Sequence, residues 1–159
     1  MTPAATVNIP AQPVTILLVD DDPDCRQLIK DAIETGKFDN TVYEVGSGEE
    51  ALQFLQRQGR YTDAPRPGLI YMDIEMPGMG GQETLKAVRT DPRFGDIAIV
   101  MMTGVTDDQQ KSIALKNGAN SYTNKPTDAL TFIATVLQST NYWLRIHQFP
   151  GAQASQSAA

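Results

Sequence analysis

Val14-Thr15-Ile16-Leu17-Leu18-Val19-Asp20-Asp21-Asp22 decides the reading of this chain. A short, β-branched, nearly continuous apolar run suits a strand buried on both faces. It stops abruptly at three aspartates, and a helix follows them. Cys25, Leu28, Ile29, Ala32 and Ile33 recur at i, i+3, i+4, i+7 and i+8, the stripe of an amphipathic helix. Asp22 suits its N-cap, Pro23 its first position and Gly36 its stop.

The same strand-then-helix unit recurs along the chain. Residues 41–45 read as a second, more polar strand. Ser47 and Glu50 form an S-x-x-E capping box ahead of a helix with Ala51, Leu52, Phe54 and Leu55 on its buried face, ended by Gly59. A loop through Pro65 and Pro67 leads to a third strand over 69–72, which ends in Asp73. Pro77, Gly78, Gly80 and Gly81 mark the loop after it, and a helix with Leu85 and Val88 on one face runs to about Thr90. Residues 97–102 form a fourth buried strand ending at Thr103. A helix over 107–117 is stopped by Gly118. Residues 120–124 form a short fifth strand ending at Lys125-Pro126. A last helix starts near Thr127, carries Leu130, Ile133, Ala134 and Leu137, and its pattern continues toward Trp143 and Ile146.

Five β-α units with buried strands predict an α/β fold with a parallel sheet covered on both faces. Five strands are too few for an eight-stranded barrel, so the expectation is an open, doubly wound sheet. Residues 1–13 read as a flexible lead, 14–149 as the domain with a C-terminal helical extension, and 150–159 as a disordered tail.

Composition narrows the function classes. The chain has 159 residues, with 13 Lys and Arg against 19 Asp and Glu, a net charge of −6. That argues against a nucleic-acid surface, which needs a basic face. A single Cys excludes an internal disulfide or a multi-cysteine metal site, and a single His argues against a His-based triad or metal centre. No apolar run approaches the roughly 18 to 20 residues of a membrane span. The first residues carry no Lys or Arg and do not read as a signal peptide. A cytoplasmic protein is expected.

In an open α/β sheet the site lies at the carboxyl ends of the strands, where the winding reverses. That rule alone selects Asp20 and Asp21 after strand one, Asp73 after strand three, Thr103 after strand four and Lys125 after strand five. Carboxylates brought together repel and call for a cation, and oxygen ligands suit Mg²⁺. A carboxylate nucleophile with Mg²⁺, Lys and Thr describes phosphoryl transfer onto an aspartate. Taken singly, each residue has a bland explanation: a strand-end Asp usually caps a helix or makes a turn. Glu75 reads as a solvated loop acid whose backbone carbonyl is within reach of a metal. Five suitable residues at four strand ends outweigh the bland explanations.

Leu17-Leu18-Val19-Asp20-Asp21, Met72-Asp73-Ile74-Glu75-Met76-Pro77, Met102-Thr103-Gly104 and Asn124-Lys125-Pro126 resemble the receiver domain of bacterial response regulators, over about residues 14–137. The resemblance implies a flavodoxin-like, CheY-like topology. It implies that Asp73 accepts a phosphoryl group from the histidine of a sensor kinase. It implies that Asp20, Asp21, Asp73 and the backbone carbonyl of Glu75 hold Mg²⁺, and that Lys125 pairs with the phosphoryl group. It further implies a cis Lys125–Pro126 bond, a Thr103 that moves toward the phosphoryl oxygen, and a Tyr122 that turns inward with it. Where the family often has Met-Pro-x-Met-Asp-Gly, Gly80 replaces the Asp, which bears on the stiffness of the loop.

No output domain is expected after the last helix, so output is expected to fall to a partner protein or to relay of the phosphate to a histidine phosphotransfer protein. The long loop over 58–67 and the pair Tyr142-Trp143 resemble the stand-alone regulators that partner bacterial phytochromes, which often dimerise through their C-terminal region. Tyr142, Trp143, Ile146 and Phe149 form either a homodimer contact or a cap on their own core. Cys25 reads as core, and His147 as solvated. Two other classes fit less well. An aspartate-nucleophile phosphatase would place a D-x-D pair after strand one. A flavin electron carrier would need a Gly- and hydroxyl-rich phosphate loop where this chain has three aspartates.

Overall fold

The computed structural model describes residues 9–104 and 108–150. Five strands alternate with five helices: β1 Thr15–Val19, α1 Pro23–Thr35, β2 Val42–Val45, α2 Gly48–Gln56, β3 Pro67–Asp73, α3 Gly81–Thr90, β4 Ala98–Thr103, α4 Asp108–Lys116, β5 Ser121–Asn124 and α5 Ala129–Asn141. All pairings are parallel, and the strand order is β2-β1-β3-β4-β5. The chain leaves β1 for one neighbour, β2, and then crosses to the other, β3. The reversal therefore opens a crevice at the carboxyl ends of β1 and β3.

Alternate residues of the buried strands feed two separate cores. Ile16, Leu18, Leu69, Tyr71, Val100 and Met102 face α1 and α5, while Leu17, Val19, Ile70, Met72, Ile99 and Met101 face α2, α3 and α4. This is why the strands read as unbroken apolar runs: neither face meets water. Tyr71 is deeply buried and its hydroxyl lies 2.7 Å from Thr140 Oγ1, so a polar tip is satisfied inside the first core.

Local signals mostly act as expected. Asp22 caps α1 by accepting from Asp24 N, with Pro23 at the first position. Ser47 caps α2 by accepting from Glu50 N, but Glu50 does not reach back; its carboxylate accepts from Arg60 and from the Tyr61 hydroxyl. α2 ends at Gln56, earlier than Gly59 would place it. Arg57 takes the left-handed cap conformation, and Gly59 opens a short 3-10 turn instead. Residue 107, the expected start of α4, lies outside the described residues.

The last helix differs in its buried face. Phe132, Val136 and Thr140 are buried, whereas Leu130 is 77% exposed and Ala134 is exposed. Ile133 and Leu137 pack partly against the core. The helix continues into a single π-turn, Tyr142–Ile146. Trp143 and Leu144, three and four residues past buried Thr140, continue the inward face of α5, and Tyr142 and Ile146 face out.

The lead is held where it is described. Gln12 N donates to Leu144 O, Gln12 Nε2 donates to His147 O, and Phe149 N donates to Gln12 Oε1. Residues 1–8 and 151–159, most of the expected lead and tail, lie outside the described residues. His147 is half-buried rather than solvated, with its ring 4.8 Å from those of Trp143 and Phe149.

Candidate functional site

Parallel register assembles the site. Val19 pairs with Met72, so Asp20, one residue on, lies beside Asp73. Asp73 pairs with Met102, which sets Thr103 next to it, and Thr103 pairs with Asn124, which sets Lys125 at the same edge. The backbone completes the row, with Lys125 N donating to Thr103 O at 2.6 Å.

Asp20 and Asp73 are 2% and 6% exposed, deep for carboxylates. Asp20 is well satisfied: Oδ1 accepts from Asp22 N at 2.9 Å, and Oδ2 accepts from Lys125 Nζ at 2.9 Å. Its carbonyl accepts from Arg26 Nη1. Asp73 is less so. Its Oδ1 lies 3.1 Å from Lys125 Nζ, an ion pair off the hydrogen-bond direction, and it accepts no hydrogen bond. Asp21, at the rim, is exposed, and Asp20, Asp21 and Asp73 each offer a carboxylate oxygen within 4.8 Å of the others.

Electrostatics follow from this crowding. Burial pushes the Asp73 carboxyl up to about 7; Lys125 opposes the shift, and the charges of Asp20 and Glu75 add to it. Burial works against the Lys125 charge, but its hydrogen bond to Asp20 and the charges of Asp20 and Asp73 outweigh it and hold the ammonium above its ordinary value. Burial, with Asp20 alongside, pushes the Cys25 thiol up to about 12, so it stays protonated as part of the core.

Three carboxylates with one nearby ammonium leave an excess of negative charge and an oxygen without a donor. That donor set fits a hard divalent cation such as Mg²⁺, which binds through few carboxylates and keeps waters. The orphaned Asp73 Oδ1 is the observation that carries the fit.

Thr103 is 1% exposed, and its Oγ1 donates to the Glu75 carboxylate. Glu75 is therefore not simply solvated. Tyr122 lies half-buried on β5, opposite Met101, against the second core. The Lys125–Pro126 bond is trans, where the resemblance implied cis. Trans is the intrinsically lower form of an X–Pro bond by about 0.5–1 kcal/mol, and Lys125 reaches Asp20 from it. Trp143 and Phe149 belong to the first core, and Tyr142 and Ile146 are exposed.

Two residues of this edge went unnoticed in the sequence. Arg26 bridges Asp20 O and Glu44. Glu49 accepts from Met79 N at 2.6 Å, across from α2 to the loop after Asp73. A helix-borne acid or base carries no local mark of a distant backbone partner, so periodicity alone does not reveal either.

No helix among the described residues is long and apolar enough to cross a membrane. Response regulator Rcp1 of Synechocystis sp. is 28% identical to the chain over 140 residues, covering 88% of this chain and 95% of that protein. The Mn(2+)-bound form of Rcp1 superposes with a TM-score of 0.83 at 27% identity, over 87% of this chain and 100% of that one. The phosphorylated cyanobacterial phytochrome response regulator RcpA superposes with a TM-score of 0.83 at 26% identity, over 87% and 99% of the two chains. The family model for the response regulator receiver domain matches residues 16–137, and with the acidic crevice, its Lys and its Thr all at one sheet edge, the chain belongs to that family.

Proposed function

We propose that this chain is a phosphoacceptor signalling protein in which Asp73 takes a phosphoryl group from the phosphohistidine of a sensor kinase. The observation that carries the reading is Asp73 Oδ1: buried, without a hydrogen-bond donor, and 3.1 Å from Lys125 Nζ. A buried carboxylate beside a fixed ammonium, with Oδ1 open to a cation, leaves its second oxygen to attack phosphorus. The new bond joins that oxygen to phosphorus, the N–P bond breaks, and its electron pair stays on the imidazole nitrogen. Lys125 pairs with the charge brought in by the phosphoryl oxygens. Asp20, Asp21, Asp73 and the Glu75 carbonyl would hold Mg²⁺, which supplies charge neutralisation at the phosphoryl oxygens when bound.

Thr103 then exchanges one acceptor for another, leaving Glu75 for a phosphoryl oxygen. Tyr122, on the neighbouring strand, follows that movement. A local change of charge thereby biases a two-state element, which is how such a module signals. The chemistry is self-phosphorylation and dephosphorylation rather than turnover of a substrate.

The likeness to RcpA, a cyanobacterial phytochrome response regulator, supports a phytochrome-type histidine kinase as the partner, and a cytoplasmic place of action is part of the same proposal. Exposed Tyr142 and Ile146 support a homodimer contact beside the internal cap made by Trp143 and Phe149. Relay onward to a histidine phosphotransfer protein is the reverse of the same acyl-phosphate step. The test is intact-mass measurement after incubation with acetyl phosphate and Mg²⁺. One phosphoryl group should be gained by the wild type and none by Asp73→Asn; labelling that survives in the variant overturns the assignment.

A further inference from the structure

Gly80 sits at the N-cap of α3 with no side chain to cap it. The loop from Glu75 to Gly80 is thus without the tie that an Asp there would supply. It is rich in freedom, since Gly78 has φ +73° and Gly80 and Gly81 follow it. Its ends are closed by Gly81 N donating to Ile74 O at 3.0 Å, and by Gly81 packing so tightly that a Cβ would lie 2.2 Å from Asp73 O.

The far side of the loop is held from α2. Glu49 Oε1 accepts from Met79 N at 2.6 Å. Gly48 beside it allows this approach: a Cβ there would meet Thr84 Oγ1 at 2.0 Å and Met79 O at 2.9 Å. A Cβ on Gly78 would come within 3.1 Å of the same Glu49 oxygen. Gly48 and Glu49 therefore act together, one giving close contact and the other an acceptor. The neighbouring Glu50 points elsewhere, to Arg60 and Tyr61.

We infer that Glu49 is a positioning residue for the phosphoacceptor edge, clamping the loop that carries the Glu75 carbonyl in place of the cap that Gly80 lacks. The inference rests on the phosphoacceptor reading of Asp73. Releasing Met79 frees a glycine-rich loop that begins two residues after Asp73, so the Glu75 carbonyl loses its fixed direction.

The test uses the full chain, Mg²⁺ alone followed by calorimetry, and amide exchange at Met79 followed by NMR. Glu49→Ala should speed exchange at Met79 by about tenfold and weaken Mg²⁺ binding by roughly tenfold. Glu49→Gln keeps an acceptor oxygen without the charge and should preserve both. Gly80 has φ −72° and ψ 171°, and a Cβ there meets Ile74 O at an ordinary 3.6 Å, so Gly80→Asp is tolerated. In the Glu49→Ala background, Gly80→Asp should recover Mg²⁺ affinity. Unchanged Mg²⁺ affinity in Glu49→Ala, or a Gln variant as impaired as the Ala variant, overturns the positioning role. A wild type that takes neither Mg²⁺ nor a phosphoryl group fails the phosphoacceptor reading first, and this inference with it.

Discussion

Thr103 Oγ1 donates to the Glu75 carboxylate, so in this state the hydroxyl already holds an anionic acceptor supplied by the chain itself. Glu75 stands where an incoming phosphoryl oxygen would compete, and it adds negative charge beside Asp73. Removing it should help phosphorylation on both counts. Glu75→Ala is expected to label with acetyl phosphate roughly two- to tenfold faster, the range one hydrogen bond of about 0.5–1.5 kcal/mol allows. Rates from time-resolved intact mass decide this, and slower labelling would count against the competition.

Lys125 is the counter-charge of two buried carboxylates, at 2.9 Å from Asp20 and 3.1 Å from Asp73. Truncating it strands both. Lys125→Ala should lower the stability of the metal-free protein by on the order of 3 kcal/mol, because an unpaired buried charge is costly. Added Mg²⁺ should restore much of the loss by binding only the folded chain. Thermal unfolding with and without Mg²⁺ reads both effects, and a variant as stable as the wild type in the absence of metal would be the contrary result.

Asp73 titrates near 7 when folded, well above an ordinary carboxyl, chiefly through burial. The folded state therefore holds more protons than the unfolded state between the ordinary carboxyl range and about 7. Its contribution to stability is fully present at acid pH and is lost as pH rises through about 7. Mg²⁺ must displace the same proton, so its apparent affinity should climb with pH up to about 7 and then level. Calorimetric titrations across that range test the slope, which Asp73→Asn should flatten.

Trp143 is 7% exposed, whereas Tyr142 and Ile146 are 47% and 53% exposed. Trp143→Ala should act through the core, costing about 3–5 kcal/mol. Tyr142→Ala with Ile146→Ala should leave stability nearly unchanged and lower any dimer fraction. Sedimentation and denaturant unfolding separate the two, and a dimer insensitive to the outer pair would remove the proposed contact.

Much of the fold lay open in the sequence because its signals are local. Unbroken apolar strands such as Leu17-Leu18-Val19 mark a sheet buried on both faces, and Asp22, Ser47 and Gly118 mark helix ends by their own chemistry. The site was legible for a related reason: parallel strands bring their carboxyl ends together, so Asp20, Asp73, Thr103 and Lys125 had to meet once the winding order was known. Tertiary structure alone decided what depends on partners far along the chain. Trp143 and Phe149 closed on the chain's own core while Tyr142 stayed outside, a choice between own core and partner that periodicity does not make. Gln12 found its acceptors more than 130 residues away. Glu75 met Thr103, and Glu49 met Met79, because strand ends and loops converge in space while nothing in the neighbouring residues marks the partner. Sequence determines periodicity and caps; the pairing of one exposed acid with one distant donor is fixed only when the whole chain has packed.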